Sequence, residues 1–220
     1  MDYNHVLYKF CERKLYPNRP EYLNAFSALY ISAISYYMII KTPNISKTSI
    51  LIYWCIFTNG ISSFLYHWYA LYIFKLFDEF SMIIPIWLGV STILQNLNYP
   101  GQYIGIFTLC NIFLLVLNVF PWFDPYFGIS FAIELLILVP LYYQALKYND
   151  DYNQDGLRGI ILCSGSGIIW TITEINCNKY LIFGHTFWHI GISTGLSYII
   201  TYFTTLQNLS EECYKKLDNI

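Results

Sequence analysis

The chain has 220 residues, of which 56% are hydrophobic, 20% aromatic and only 12% charged, and its formal net charge is −2. An average soluble domain carries about 25% charged residues, so the composition excludes an ordinary soluble enzyme. The slightly negative net charge excludes a nucleic-acid partner. A mean hydropathy of +0.42, with the apolar residues in long blocks, predicts an integral, multi-pass membrane protein. We also expect no obligate protein partner.

The apolar blocks predict an all-α fold of seven transmembrane helices. A hydrocarbon core about 30 Å thick requires about 20 apolar residues in a helix. On this basis the spans run at roughly 24–41, 49–68, 71–94, 102–120, 126–146, 157–174 and 184–206. We predict a single membrane domain over 1–220, with a polar N-terminal segment (1–23) and a polar C-terminal tail (207–220). With seven spans, the two termini lie on opposite sides of the membrane. The second span then ends, and the third and seventh spans begin, on the face that carries the N-terminus.

Three of the four histidines lie on that face, at the ends of two spans. His185 and His189 are four residues apart, so a helix places them on one side. One helix often supplies two imidazoles to zinc with this spacing, and His67 would be the third ligand, leaving one position for water. The alternative is that the histidines bond to carbonyl groups of neighbouring helices. The shared face favours an intramembrane metal site at the centre of the bundle.

Two further polar residues lie near these histidines in the sequence. Ser63, one turn before His67, can stabilise an oxyanion or bond to its own i−4 carbonyl, and its spacing alone favours the latter. Asp78, two turns into the third span, can accept a proton from water and pass it to a leaving group. Its alternative role is an ion pair with Lys75, one turn earlier. We favour the proton-transfer role.

Several motifs resemble those of the alkaline ceramidases, which belong to a superfamily of seven-span membrane hydrolases that includes the adiponectin-type receptors. The resemblance extends from the N-terminal segment to the last span and covers nearly the whole chain. The motifs are Cys11-Glu12, Glu21-Tyr-Leu-Asn24-Ala-Phe-Ser27, Gly60-Ile-Ser-Ser63 with His67, Asp78-Glu79, and His185-Thr-Phe-Trp-His189.

The resemblance implies hydrolysis of the ceramide amide to a sphingoid base and a fatty acid, in the endoplasmic reticulum or Golgi membrane. It assigns zinc to His67, His185 and His189, and catalytic roles to Ser63 and Asp78. Zinc would lower the pKa of water, and Asp78 would take its proton and later protonate the departing amine. Ser63 would stabilise the tetrahedral intermediate. The lipid substrate would enter sideways from the bilayer.

The resemblance also implies a regulatory calcium site in the N-terminal segment, which this sequence matches only in part. Glu12 and Glu21 match its two glutamates, whereas Lys9 and Lys14 stand where oxygen ligands are expected. An ammonium group supplies no ligand to calcium. We therefore predict that calcium is not required and that a lysine supplies the positive charge instead.

A disulfide between Cys11 and Cys177 is a further implication of the resemblance, and two unpaired thiols are the alternative. The bond would require an oxidising compartment on that face of the membrane. The flanking lysines and arginines do not identify the cytoplasmic face.

Two other functions are compatible with the sequence. A receptor or lipid sensor could retain the zinc as a structural element. A proton-coupled transporter could use the histidines and Asp78 as a relay, although the chain lacks the paired discontinuous spans of inverted-repeat transporters.

Overall fold

The computed structural model describes residues 9–147 and 153–217, and in these two ranges the chain forms helices and no β-strand. The prediction of an all-α fold is confirmed for this part of the chain. The helices are α1 (Cys11–Leu15), α2 (Tyr22–Lys41), α3 (Lys47–Tyr69), α4 (Tyr72–Asn96), α5 (Gly101–Asn118), a 3-10 turn (Pro121–Tyr126), α6 (Phe127–Leu146), α7 (Asn153–Ile175) and α8 (Gly184–Leu217).

The apolar character of these helices defines a membrane protein. Five are long and apolar enough to cross a membrane: α2, α3, α5, the 3-10 turn with α6, and α7. The other two long helices, α4 and α8, contain several of the ionisable residues singled out in the sequence, among them Asp78 and His185.

The predicted spans coincide with long helices. The last predicted span ends near residue 206 and a polar tail follows it, and α8 continues through that polar stretch to Leu217. Residues 207–217 contain no glycine or proline and several good helix formers, so nothing in them ends the helix. Residues 218–220 of the predicted tail, and residues 1–8 of the predicted N-terminal segment, lie outside the described residues.

Small residues let the helices around the histidines approach closely. A Cβ atom on Gly60 of α3 would lie 2.7 Å from the carbonyl oxygen of Ala28 in α2. A Cβ atom on Gly195 of α8 would lie 2.8 Å from the carbonyl oxygen of Gly159 in α7. Close approach through small residues is a common way to pack membrane helices. Since α2 also packs against α8, these contacts unite α2, α3, α7 and α8.

A tight connection between α3 and α4 brings His67 and Asp78 to the same level of the bundle. Ala70 takes a left-handed conformation, with φ at 55°, and its N–H donates to the carbonyl of Tyr66. The chain then reverses, and α4 begins at Tyr72. His67 lies in the last turn of α3, so both residues lie near this reversal.

Candidate metal centre

Three histidines converge in the interior. His67, His185 and His189 are buried, and they offer ring nitrogens that all lie within 4.8 Å of one another. The Nε2 atoms of His185 and His189 are 3.0 Å apart. Two nitrogens bound to one tetrahedral zinc ion are separated by about 3.3 Å, given zinc–nitrogen bonds of about 2.0–2.1 Å. The cluster therefore fits a metal ion of this size.

Hydrogen bonds to the outer ring nitrogens orient two of these imidazoles. The Ser27 hydroxyl donates to the carbonyl of Asn24 at 3.0 Å, so its oxygen accepts from Nδ1 of His189 at 2.8 Å. The Nδ1 atom of His67 lies 2.5 Å from Oε2 of Glu21. In both rings a proton on Nδ1 leaves the Nε2 lone pair free for a metal, the arrangement common to metal-binding histidines. Among the described residues, the buried Nδ1 of His185 has no hydrogen-bond partner.

Arg13 and Glu21 fasten the N-terminal segment to His67. The Arg13 Nε atom lies 3.0 Å from Oε1 of Glu21, and its Nη2 group donates to the carbonyl of His67 at 2.9 Å. The backbone N–H of Glu21 donates to the same carbonyl at 3.1 Å. Burial raises the pKa of Glu21. The contacts with His67 and Arg13, and a hydrogen bond from the side-chain amide of Asn24, outweigh burial and lower this pKa overall. Glu21 is therefore suited to hold His67 as a carboxylate.

The residues at the expected calcium positions are engaged with protein groups. The Glu12 carboxylate accepts the backbone N–H groups of Leu23 and Asn24, at 3.2 and 3.1 Å, and so caps the first turn of α2. Lys9 is exposed, and Lys14 pairs with Glu174 of α7 at 3.4 Å.

The positive charge beside Glu21 comes from Arg13, and Lys14 pairs with Glu174. The sequence offered no signal for Arg13, because its role depends on Glu21 and His67, which lie elsewhere in the chain. The Glu12 and Glu21 carboxylates both accept hydrogen bonds from protein donors, and the absence of a calcium requirement stays a prediction.

A disulfide joins the N-terminal segment to the turn before α8. Cys11 and Cys177 are bonded, with their Cα atoms 5.3 Å apart. The N–H of Cys11 also donates to the Glu174 carboxylate at 2.9 Å. The ring of the preceding Phe10 lies over the histidines, with centroids 4.4 Å from His185 and 5.1 Å from His67. The segment therefore covers the histidine cluster.

Asp78 and Ser63 face each other beside the cluster. The Asn59 amide donates to the Asp78 carboxylate at 2.8 Å, and the Ser63 hydroxyl lies within hydrogen-bonding reach of the same carboxylate. The bond to an i−4 carbonyl, one role considered for Ser63, is made by its neighbour Ser62.

Lys75, the alternative partner considered for Asp78, forms its ion pairs with other carboxylates. Lys75 pairs with Glu79 and Asp124 instead of Asp78. The direct hydrogen-bond partners of the Asp78 carboxylate are therefore Asn59 and Ser63, and Lys75 acts on it only at longer range.

A cavity of about 280 Å³ begins at this polar group and extends between the helices. Its polar part is lined by Ser63, Asp78, His185 and His189. Most of the remaining surface is aliphatic or aromatic and comes from α2, α3, α4, α6 and α8. A polar site at one part of an apolar cavity suits a ligand with a small polar head and a hydrocarbon chain.

The fold and the site together define a helical membrane protein whose buried histidine cluster can bind a metal ion beside an apolar cavity. The family model for ceramidases matches residues 7–219, and the chain belongs to the ceramidase family. Membership implies a hydrolase that acts on amide bonds and takes the lipid ceramide as substrate. A search of curated protein sequences finds no match.

Proposed function

We propose that the protein is a zinc-dependent ceramidase that cleaves ceramide to a sphingoid base and a fatty acid within the bilayer. The observation that carries this proposal is the convergence of the three histidines beside Asp78 and Ser63 on one cavity. His67, His185 and His189 would hold the zinc ion. The family supports the substrate, and the three imidazoles support zinc as the metal.

The residues around the cluster have complementary roles in the reaction. A bound zinc ion supplies Lewis-acid polarisation and makes water a better nucleophile near neutral pH. Asp78 accepts the proton of the attacking water and returns it to the amide nitrogen as the C–N bond breaks. Asn59 holds the Asp78 carboxylate in place. The Ser63 hydroxyl donates a hydrogen bond to the oxygen on which negative charge develops.

The rest of the chain provides the membrane setting. We infer one domain of seven spans, in which α4 and α8 cross the bilayer with the five more apolar helices. The apolar part of the cavity holds a hydrocarbon chain of the substrate. An endoplasmic reticulum or Golgi membrane suits both the lipid substrate and the Cys11–Cys177 disulfide, which requires an oxidising lumen.

The decisive experiment measures ceramide hydrolysis and zinc content in detergent-purified protein. The wild type should turn over ceramide and hold about one zinc ion per chain, as expected for a single three-histidine site. His189→Ala should lose both properties. Asp78→Asn should keep its zinc and lose activity by a factor of about 10²–10⁴, the usual contribution of a general acid–base group.

Thr194→Ala, on the same helix, serves as the matched control and should retain both properties. Bound zinc without turnover of any ceramide would contradict the proposed reaction and favour a receptor-like role. A wild type without zinc would contradict the metal centre itself.

A further inference from the structure

A second group of charged side chains lines the cavity and has no part in the proposed reaction. Lys75, Glu79 and Asp124 are at most 8% exposed, and all three line the cavity that also contains Asp78. Lys75 Nζ lies 2.6 Å from Oε1 of Glu79 and forms a second ion pair with Asp124. Asp124 belongs to the 3-10 turn before α6, so the group connects α4 to that turn.

This group is incompletely paired. In the part of the chain that the structure describes, two carboxylates share a single ammonium, and Oε2 of Glu79 is buried without a hydrogen-bond partner. A buried carboxylate oxygen without a donor is costly, since it has lost water and gained nothing in exchange. Because Lys75 holds Oε1, the free acceptor is Oε2 of a residue that lines the cavity. A ligand with a hydroxyl or amine donor would satisfy it.

We propose that Glu79, held by Lys75 and Asp124, is the headgroup subsite of the cavity and accepts a hydrogen bond from a hydroxyl group of the sphingoid part of ceramide. This inference rests on the proposed ceramide hydrolysis and names the part of the substrate that the cavity recognises. The sphingoid part carries hydroxyl groups close to the scissile amide. Asp78 and Glu79 both line the cavity, so an amide at Asp78 places those hydroxyls near Glu79.

The charge of the subsite also suits the reaction. The released sphingoid base is a primary amine, which is cationic at neutral pH, whereas the other product is a carboxylate. Two acidic side chains offset the single ammonium, so the group carries no excess positive charge to hold the carboxylate product. Glu79 is therefore a specificity-determining residue that selects the sphingoid side of the substrate.

The test compares ceramide with analogues that lack one sphingoid hydroxyl, 1-deoxyceramide and 3-deoxyceramide. The wild type should prefer ceramide over one of them by about 10–100-fold in kcat/KM, the value of a hydrogen bond to a charged group. Glu79→Leu should cleave ceramide and that analogue at similar rates. Glu79→Gln, which keeps an acceptor oxygen, should retain part of the preference.

The matched control is Glu134→Leu. Glu134 is another buried carboxylate without a hydrogen-bond partner among the described residues, but it does not line the cavity. Its substitution should leave the preference unchanged. Since the preference is a ratio within one protein preparation, partial loss of folded protein does not alter it. A wild-type ratio in Glu79→Leu, or a wild type that cleaves both analogues as well as ceramide, would overturn the inference.

Binding separates this inference from the proposed reaction. Thermal stabilisation of the Asp78→Asn protein by ceramide should exceed its stabilisation by the discriminated analogue. The difference should vanish in the Asp78→Asn, Glu79→Leu double variant. If the wild type cleaves no ceramide, the proposed function fails while this binding difference still supports the subsite. Equal stabilisation by ceramide and both analogues overturns the subsite.

Discussion

Arg13 is the residue that links the N-terminal segment to the histidine cluster. Its guanidinium group contacts Glu21 and the carbonyl of His67, and Glu21 in turn holds the imidazole of His67. Arg13 therefore acts on the metal centre through Glu21 and is a positioning residue. Partners that orient a metal ligand typically contribute a factor of about 10–100 to metal affinity or activity.

We expect Arg13→Met to lower zinc affinity and ceramide turnover by about 10–100-fold, because Glu21 loses the cation that fixes it. Zinc affinity is measured by competition with a chromophoric chelator. Arg19→Met is the matched control, since Arg19 lies in the same segment but stacks on Tyr16 at 3.8 Å from the ring centroid. Equal effects of the two substitutions would contradict the positioning role.

The same contacts predict that the wild type does not need calcium. Arg13 supplies the positive charge beside Glu21, and both Glu12 oxygens bind backbone N–H groups. Activity lost to a chelator should therefore return with zinc and not with calcium. Recovery specifically with calcium would show that the N-terminal segment binds it.

At the scale of helices, the sequence is a good guide to position and a poor guide to partners. Hydrophobic blocks and breakers are local signals, so each predicted span corresponds to a long helix. Residues 207–217 are polar but have high helix propensity, so α8 continues beyond the predicted span to Leu217. Polarity shows where a helix leaves an apolar environment, and the helix itself can continue.

At the candidate site too, the sequence predicts positions better than it predicts partners. The spacing of His185 and His189 on one helix predicts that they are neighbours, and the structure brings His67 to them. The partners of Arg13 and Lys75 could not be predicted, because each depends on how separate helices and turns meet. Nothing in the sequence around Lys75 indicates that Asp124, almost fifty residues away, would be its partner.

The apolar part of the cavity leads along α4 to Gly89. Asp78 and Gly89 are eleven residues apart on this helix, which is about 16 Å. One leaflet of the bilayer, half of a core about 30 Å thick, has the same depth. Gly89 also borders a smaller adjoining cavity, and a Cβ atom on Gly89 would meet no atom within 4 Å. Gly89 therefore lies where a hydrocarbon chain would end.

We expect Gly89→Leu to shift the preference toward shorter chains, because its side chain would fill this part of the cavity. Each excluded methylene loses about 0.8 kcal/mol of burial, or about fourfold in kcat/KM. Two series of ceramides are compared, one graded in acyl length and one graded in sphingoid length. The series whose chain occupies the cavity should shift.

Gly105→Leu controls for the gain in helix propensity at a membrane helix. Gly105 is an exposed glycine of α5 with equally open surroundings, and it does not line the cavity. Its substitution should leave both series unchanged. A wild-type chain-length profile in Gly89→Leu would mean that the hydrocarbon chain lies elsewhere.

For the whole molecule, the Cys11–Cys177 disulfide determines how the N-terminal segment sits on the bundle. The two cysteines are 166 residues apart, so the bond ties the start of the chain to the turn before its last helix. Phe10 and Arg13 flank Cys11, and both contact residues of the histidine cluster. The bond thus secures a cover over the cluster.

We expect Cys11→Ala and Cys177→Ala each to lower the free energy of unfolding by about 2–5 kcal/mol, the usual loss when a native disulfide is removed. The double variant should lose no more than either single variant, because both substitutions remove the same bond. Thermal unfolding in detergent measures the loss, and Cys110→Ala, an exposed free thiol of α5, is the control. Additive losses would show that the two cysteines act separately. Mass spectrometry of protein whose thiols are blocked during isolation should find the two cysteine peptides cross-linked, which would also place this face in the lumen.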